Sequence, residues 1–234
     1  MALIALMLGA ALTGLVLRSA APGSELWTDR YLTSRLEGMP RPREFSEDAV
    51  LESARNQFWE TGYAGTSLAD LTAATGLGKG SLYGAFGDKH ALFLRTLEGY
   101  CSDVVSDAHK ELARGGRAID DLADHLRISA RVGVEGSRTR GCMMAKAAAE
   151  LGSRDAAVQA IVSSSFDGWH DELASCIARA QDEGDIAVGV DADTLAWTLL
   201  TLLRGFEALR KGGVATDHLK AALDQVLETI PRSV

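Results

Sequence analysis

The chain has few of the residues that mark disulfide-bonded, metal-binding or β-rich proteins. Its 234 residues include three cysteines and four prolines. An odd, sparse cysteine count without CxxC spacing argues against a disulfide framework or a zinc site, and it fits a reducing cytoplasm. Alternating Val/Ile/Thr runs of the strand type are missing as well. Long Ala/Leu-rich runs therefore predict an all-α protein.

The motifs of the common enzyme classes are also missing. The sequence has no GxSxG, no HExxH and no phosphate-binding loop, and its five histidines are scattered. We therefore expect no enzymatic activity, no metal site and no cofactor.

Two short helices joined by a tight glycine turn are predicted in the segment LADLTAATGLGKGSLYGAFGDKHAL. Leu68 and Leu71 share one apolar face of the first helix, and Gly76 ends it because glycine accepts the left-handed C-cap conformation at little cost. Leu82 and Phe86, four residues apart, face inward from the second helix. This pattern is typical of a helix-turn-helix, whose second helix fits a DNA major groove.

This segment, with the helices on either side of it, resembles the N-terminal domain of the TetR family of bacterial repressors. The matching positions are Gly76, Lys79-Gly80-Ser81-Leu82-Tyr83, Phe86, Lys89 and Leu92, with Phe45, Val50, Leu51, Ala54, Phe58 and Gly62-Tyr63 upstream. The resemblance implies an all-α fold, in which a three-helix DNA-binding domain precedes a helical ligand-binding and dimerisation domain. It also implies a cytoplasmic, homodimeric transcriptional regulator, a repressor that a small effector releases from an inverted-repeat operator.

The resemblance further implies which residues contact the DNA backbone. Lys79, Tyr83 and Lys89 match the family's phosphate contacts, and Thr66 matches a position where a hydroxyl and a backbone N–H reach a phosphate. Phosphate contacts set the register of the protein on DNA, whereas base-edge contacts carry sequence preference.

The positions available for base edges are Gly78, Lys79, Ser81 and Gly84. Two of these are glycines, which have no side chain to contact a base. Sequence preference is therefore expected to depend on DNA shape and on an N-terminal arm with Arg41 and Arg43.

The net charge of −8 is unusual for a DNA-binding protein. Residues 39–98 contain six Lys or Arg and eight Asp or Glu. Only Arg41, Arg43, Lys79 and Lys89 are placed to form a local positive face. DNA affinity is therefore expected to depend on a few directed contacts.

The first 38 residues contrast with the rest of the chain. Leu3–Leu17 is apolar apart from one threonine, and no charge precedes Arg18. The run is about long enough for a signal-peptide core or a marginal membrane span, but a signal peptide needs a basic start. We favour a misassigned start codon, with Met39 as the natural beginning; a membrane anchor and a disordered or weakly helical extension are the alternatives. The expected domains are the leader (1–38), the DNA-binding domain (39–90) and the effector-binding and dimerisation domain (91–234).

The last two predicted helices are apolar over a wider arc than packing on one core needs. In the TetR family the corresponding helices form a four-helix bundle with those of a second subunit. The residues expected in this interface are Leu199, Leu203, Phe206, Leu223 and Leu227. The alternative is a thicker core within one chain.

Cys142 follows Arg140-Gly141 at the start of a short apolar helix. A helix N-terminus lowers the pKa of a thiol and favours its reaction, and a Gly-Cys at this point resembles one branch of the family that includes sensors of electrophiles. The alternative is a buried small hydrophobe, as expected for Cys101 and Cys176.

A small-molecule pocket is expected among the central helices. The candidates for its wall, besides Cys142, are His125, Arg127, Trp169 and His170. Two other functions stay open: a membrane-tethered regulator anchored by Leu3–Leu17, and a helical enzyme with Cys142 as nucleophile, for which no base partner can be identified.

Overall fold

The computed structural model describes residues 46–130 and 140–230, and all regular structure in these ranges is helical. The helices are α1 (Glu47–Gly65), α2 (Leu68–Thr75), α3 (Lys79–Phe86), α4 (Lys89–Leu112), α5 (Ala118–Ala130), α6 (Met143–Leu151), α7 (Ala156–Asp182), α8 (Ala192–Lys211) and α9 (Thr216–Thr229). The predicted all-α class is confirmed.

Side-chain caps begin the N-terminal helices where the sequence predicts them. The Ser46 hydroxyl accepts a backbone N–H of the first turn of α1 at 3.4 Å. Ser67 and Asp70 form a reciprocal capping box at the start of α2, and the Asp88 carboxylate accepts a backbone N–H of α4 at 2.8 Å. Each cap contributes about 1 kcal/mol to helix stability.

The first three helices share a small core with the start of α4. Leu71 and Leu82 are fully buried, and Phe58 contacts Phe93 edge to face, with 5.1 Å between ring centroids. Gly76 ends α2 with a left-handed φ of 69°. This core fixes the angle at which α3 is presented to solvent.

The long helices α4 and α7 connect this unit to the C-terminal helices. The 27-residue α7 packs against α4, α5, α6 and α8. The 24-residue α4 begins beside the helix-turn-helix and continues into this group. Helix α4 therefore runs without a break across the domain boundary expected near residue 90.

The end of α1 is held by α6. Gly62, with a φ of 80° and a ψ of 174°, interrupts α1 near its end. The Glu150 carboxylate accepts two backbone N–H groups just beyond this interruption, at 3.0 and 2.6 Å. The Lys146 ammonium donates to two backbone carbonyls just before it, at 2.9 and 2.8 Å. The cation on α6 thus binds the free carbonyls that end the first helical segment, and the anion binds the free N–H groups that begin the second.

The interface residues expected from the sequence lie inside the single chain. Leu199, Leu203, Phe206, Leu223 and Leu227 are each at most 8% exposed. The prediction that these five side chains face a second subunit is therefore wrong, because α8 and α9 bury them within the chain. These five residues cannot form the surface between subunits.

Several sequence predictions lie outside the described residues. They concern the leader 1–38, the membrane segment Leu3–Leu17, and the arm residues Arg41 and Arg43. Within the described ranges, each helix is either too short or too polar to cross a membrane.

Candidate nucleic-acid interface and ligand cavity

The outer surface of α3 is small and polar. Gly78, Lys79, Ser81 and Gly84 are exposed, and Tyr83 is half-buried. A Cβ atom added at either glycine would meet no atom within 4 Å. Packing therefore does not dictate these glycines, and the surface is open for close approach of another molecule.

Two lysines supply the available positive charge around this helix. Arg55 and Arg95 are paired with carboxylates at 2.6 and 2.5 Å. Lys79 and Lys89 have no ion-pair partner among the described residues, and the Lys89 ammonium lies 4.4 Å from the centroid of the Tyr63 ring. Of the cations described up to residue 98, these two are left to attract phosphate.

Thr66 is not available for the phosphate contact that the resemblance implies. The residue is 1% exposed. Its hydroxyl donates to the carbonyl of Gly62 at 2.6 Å, and its N–H donates to the carbonyl of Tyr63 at 3.3 Å. The structure corrects that expectation, because Thr66 closes the interrupted end of α1 and both of its donors are engaged there.

A cavity of about 190 Å³ lies among α4, α5, α7, α8 and the start of α6. It brings together three of the residues proposed from the sequence, namely His125, Trp169 and Cys142. A pocket of mixed character, with apolar walls and a few placed polar groups, is what a small-molecule site requires.

A buried polar chain forms one wall of the cavity. The Trp169 indole N–H donates to Nε2 of His125 at 2.9 Å. Nδ1 of His125 must then carry the proton, and it donates to the Glu111 carboxylate at 2.8 Å. Each ring nitrogen of this 2%-exposed histidine is therefore satisfied.

Glu207 is a buried acid that also lines the cavity. Its carboxylate accepts from Arg204 at 2.9 Å, from Lys211 at 3.1 Å and from the backbone N–H of Cys142. Burial raises the pKa of Glu207, but the hydrogen bonds from Cys142 and Lys211 and the charge of Arg204 outweigh it, so the pKa lies below its ordinary value. The acid is held as a carboxylate at neutral pH.

One peptide group connects the cavity to α1. The peptide joining Gly141 and Cys142 donates its N–H to Glu207, as above, and its carbonyl accepts the indole N–H of Trp59 at 2.8 Å. Gly141 has a φ of 72°, and a Cβ atom there would overlap the side chains of Lys211 and Glu207. The positive φ favours glycine at this position, and a larger residue would also displace the ends of those two side chains.

Cys142 begins α6, as predicted, with its sulfur accepting the N–H of Ala145 at 3.5 Å. Burial, with the nearby Cys142 thiol, raises the pKa of the Tyr100 hydroxyl. Cys101 and Cys176 are buried, which raises the pKa of each thiol to about 11. Their predicted place in the core is confirmed.

Two candidates for the pocket wall lie elsewhere. Arg127 is half-exposed beside Asp124, 3.5 Å away. His170 is buried, stacks on Trp197 with 4.4 Å between ring centroids, and has Nε2 3.2 Å from the backbone carbonyl of Asp193. Both predictions are corrected, because other side chains engage these groups outside the cavity.

Sequence reasoning missed five charged residues that line the cavity: Asp107, Glu111, Arg204, Glu207 and Arg210. The sequence pattern indicates two of them. Arg204 directly follows the buried Leu203, and Glu207 directly follows the buried Phe206. Charges within an apolar arc indicate a buried polar site.

Two family models match this chain. The model described as "Bacterial regulatory proteins, tetR family" matches residues 50–96, and "Tetracyclin repressor-like, C-terminal domain" matches residues 122–226. Together they cover more than half of the sequence. The chain belongs to the TetR family.

Relatives in the TetR family are similar over most of their length. The repressor ComR of Escherichia coli (strain K12) is 27% identical over 195 residues, which cover 83% of this chain and 93% of ComR. The repressor AcnR of Corynebacterium glutamicum is 30% identical over 189 residues, covering 79% and 92%. A CifR cysteine mutant in complex with 26-bp operator DNA is 30% identical, with a TM-score of 0.72, covering 82% of this chain and all of that one. This TetR-family protein is a DNA-binding transcriptional regulator.

Proposed function

We propose that this TetR-family regulator is a homodimeric repressor that binds an inverted repeat through α3 and is released when a small molecule occupies the cavity beside Cys142. The observation that carries the proposal is the exposed surface of α3, with Lys79 and Lys89 free of ion pairs among the described residues. The solved CifR complex with operator DNA supports it. A protein that reads chromosomal DNA acts in the cytoplasm.

We propose that DNA binding and effector binding lie in different parts of the chain. Residues 39–90 would read DNA, and residues 91–234 would bind the effector and form the dimer. The cavity and α1 share the Gly141–Cys142 peptide, which gives effector binding a physical route to the DNA-binding helices. The effector would favour a dimer geometry that no longer matches adjacent major grooves.

The subunit interface is proposed on the exposed faces of α8 and α9. With the buried leucines excluded, α8 presents Trp197, Thr201, Gly205 and Leu209 to solvent. A Cβ atom added at Gly205 would meet no atom within 4 Å. Small residues between two larger apolar ones permit close approach of helices, as the family's four-helix bundle requires.

Selection of bound sequences from a random DNA pool tests this function. The full chain should enrich an inverted repeat whose half-site centres are separated by about one helical turn, ~34–36 Å. Lys79→Ala should bind the enriched repeat more weakly than the wild type, whereas Arg117→Ala, in the turn between α4 and α5, should bind it equally well. An enriched single half-site, or no enriched sequence, would contradict the proposal.

The comparisons favour neither of the other functions considered. The membrane-tethered regulator depends on residues outside the described ranges. The thiol-dependent enzyme is not supported by any of the relatives compared, which are named as regulators.

A further inference from the structure

Two arginines of α8 leave buried donors unused at the cavity. The Nε atoms of Arg204 and Arg210 are buried, and neither has a hydrogen-bond acceptor among the described residues. Both residues line the cavity. Arg204 is at least paired with Glu207 at 2.9 Å, whereas Arg210 has no ion-pair partner within the described part of the chain. Arg55 and Arg179, away from the cavity, also have an Nε without an acceptor in the described ranges, but both form ion pairs with an aspartate. Arg210 differs because its guanidinium has no such partner in those ranges, and a buried donor without an acceptor is unfavourable.

The acids that line the cavity are already engaged. Glu207 accepts from Arg204, from Lys211 and from the backbone of Cys142. Glu111 accepts from His125, and Asp107 pairs with Lys110 at 3.0 Å. Among the described residues, no carboxylate of this wall pairs with Arg210, so its guanidinium is open to an acceptor on a ligand.

The size and walls of the cavity limit that ligand. Val104, Ala108, Ile128 and the Trp169 ring provide apolar surface. A cavity near 150 Å³ accommodates benzene, so about 190 Å³ suits one ring with a small substituent. A second carboxylate on the ligand would face Glu111 or Asp107, which disfavours dicarboxylates.

We propose that the cavity binds a small organic monocarboxylate, with its carboxylate on the guanidinium groups of Arg210 and Arg204 and its apolar body against Ile128 and Trp169. A guanidinium binds a carboxylate through two parallel charge-assisted hydrogen bonds. This inference rests on the proposed function, since it names the effector class for that site.

Binding of the ligand's carboxylate also changes the hydrogen bonding around Glu207. A bound carboxylate competes with Glu207 for Arg204, so it changes the charge balance around Glu207 and with it the hydrogen bonds that Glu207 accepts from its other partners. One of those partners is the Gly141–Cys142 peptide, whose carbonyl binds Trp59 of α1. The ligand class therefore fits the route to the DNA-binding helices.

Benzoate and benzamide, which have nearly the same shape but different charge, provide the test. Titration calorimetry on the wild-type full chain should show benzoate binding at least about tenfold tighter than benzamide. Arg210→Met should remove that preference and leave benzamide binding unchanged. Arg127→Met is the matched control, because Arg127 is a half-exposed arginine outside the cavity, and it should retain the preference.

Equal affinity of the wild type for benzoate and benzamide would overturn the proposal, and so would the absence of benzoate binding at millimolar concentration. This comparison needs no variant, so a poorly folded Arg210→Met would not leave the question open. Operator binding is measured separately by fluorescence anisotropy. A protein that binds its operator but not benzoate refutes the ligand class alone, whereas one that binds no DNA refutes the proposed function.

Discussion

At the residue scale, the glycines of α3 are free of packing constraints. Gly80 and Gly84 lie in open space, yet glycine costs a helix about 0.5–1 kcal/mol relative to alanine. Their presence weakens the helix that is proposed to bind DNA. The packing of the fold does not require them, and their open surroundings leave room for a DNA backbone to approach closely.

Gly84→Ala should therefore raise the free energy of unfolding by about 0.5–1 kcal/mol, measured by urea denaturation. Gly76→Ala is the control, because its surroundings are equally open but its φ is 69°. Alanine is strained in that conformation, so the control should lower the stability. Destabilisation by Gly84→Ala would mean that α3 has a different backbone from the one described.

Cys142 is buried like Cys101 and Cys176, but it is the one of the three that lines this cavity. We predict that iodoacetamide modifies Cys142 first, since burial raises the pKa of the Cys101 and Cys176 thiols to about 11. Modification should lower operator affinity, and Cys142→Ser should abolish this effect. A thiol that does not react in the folded protein would assign Cys142 to the core and leave a reversible ligand as the effector.

At the scale of elements, α6 connects the cavity to the DNA-binding helices. Cys142 precedes its first turn beside Glu207, and Lys146 and Glu150 bind the two sides of the α1 interruption at Gly62. A movement of α6 would therefore reach α1 through charged hydrogen bonds as well as through apolar contact. Such bonds are directional, which suits a link between two defined states.

Lys146→Met should lower the free energy of unfolding by about 1–3 kcal/mol, because it leaves two carbonyls of α1 without their charged donor. Lys220→Met is the control: Lys220 forms only an exposed pair with Asp224, and exposed pairs contribute less than about 1 kcal/mol. Equal stability of the two variants would show that α6 does not anchor α1.

At the scale of the whole molecule, the sequence predicts the helices better than the surfaces between them. Ser46, Ser67 and Asp88 are local caps, so the helix starts they set can be read directly from the sequence. The predicted surface for Leu203 is wrong, because periodicity does not show which part of a wide apolar arc packs within its own chain. The predicted place of His170 is wrong because its partner Asp193 comes from another helix, and the relative position of two helices is not a local property.

The corrected interface makes a prediction about the dimer. The double substitution Thr201→Arg and Gly205→Glu places charges on the exposed face of α8, and it should give monomers with unchanged helical content in sedimentation velocity and circular dichroism. Leu203→Glu should instead unfold the chain, because this leucine is 1% exposed. Gln159→Arg, exposed on α7, is the control. A double variant that stays dimeric would place the interface elsewhere.

The central claim is that α3 and the start of α4 bind DNA through Lys79 and Lys89. The most direct test of this claim is the salt dependence of DNA binding. Operator affinity is measured by fluorescence anisotropy over a range of salt concentrations for the wild type, Lys79→Ala, Lys89→Ala and the control Arg117→Ala. Each lysine variant should weaken binding to all DNA sequences about equally and reduce the slope of log K against log salt by about one unit, whereas the control leaves the slope unchanged. An unchanged slope in both lysine variants would contradict the account.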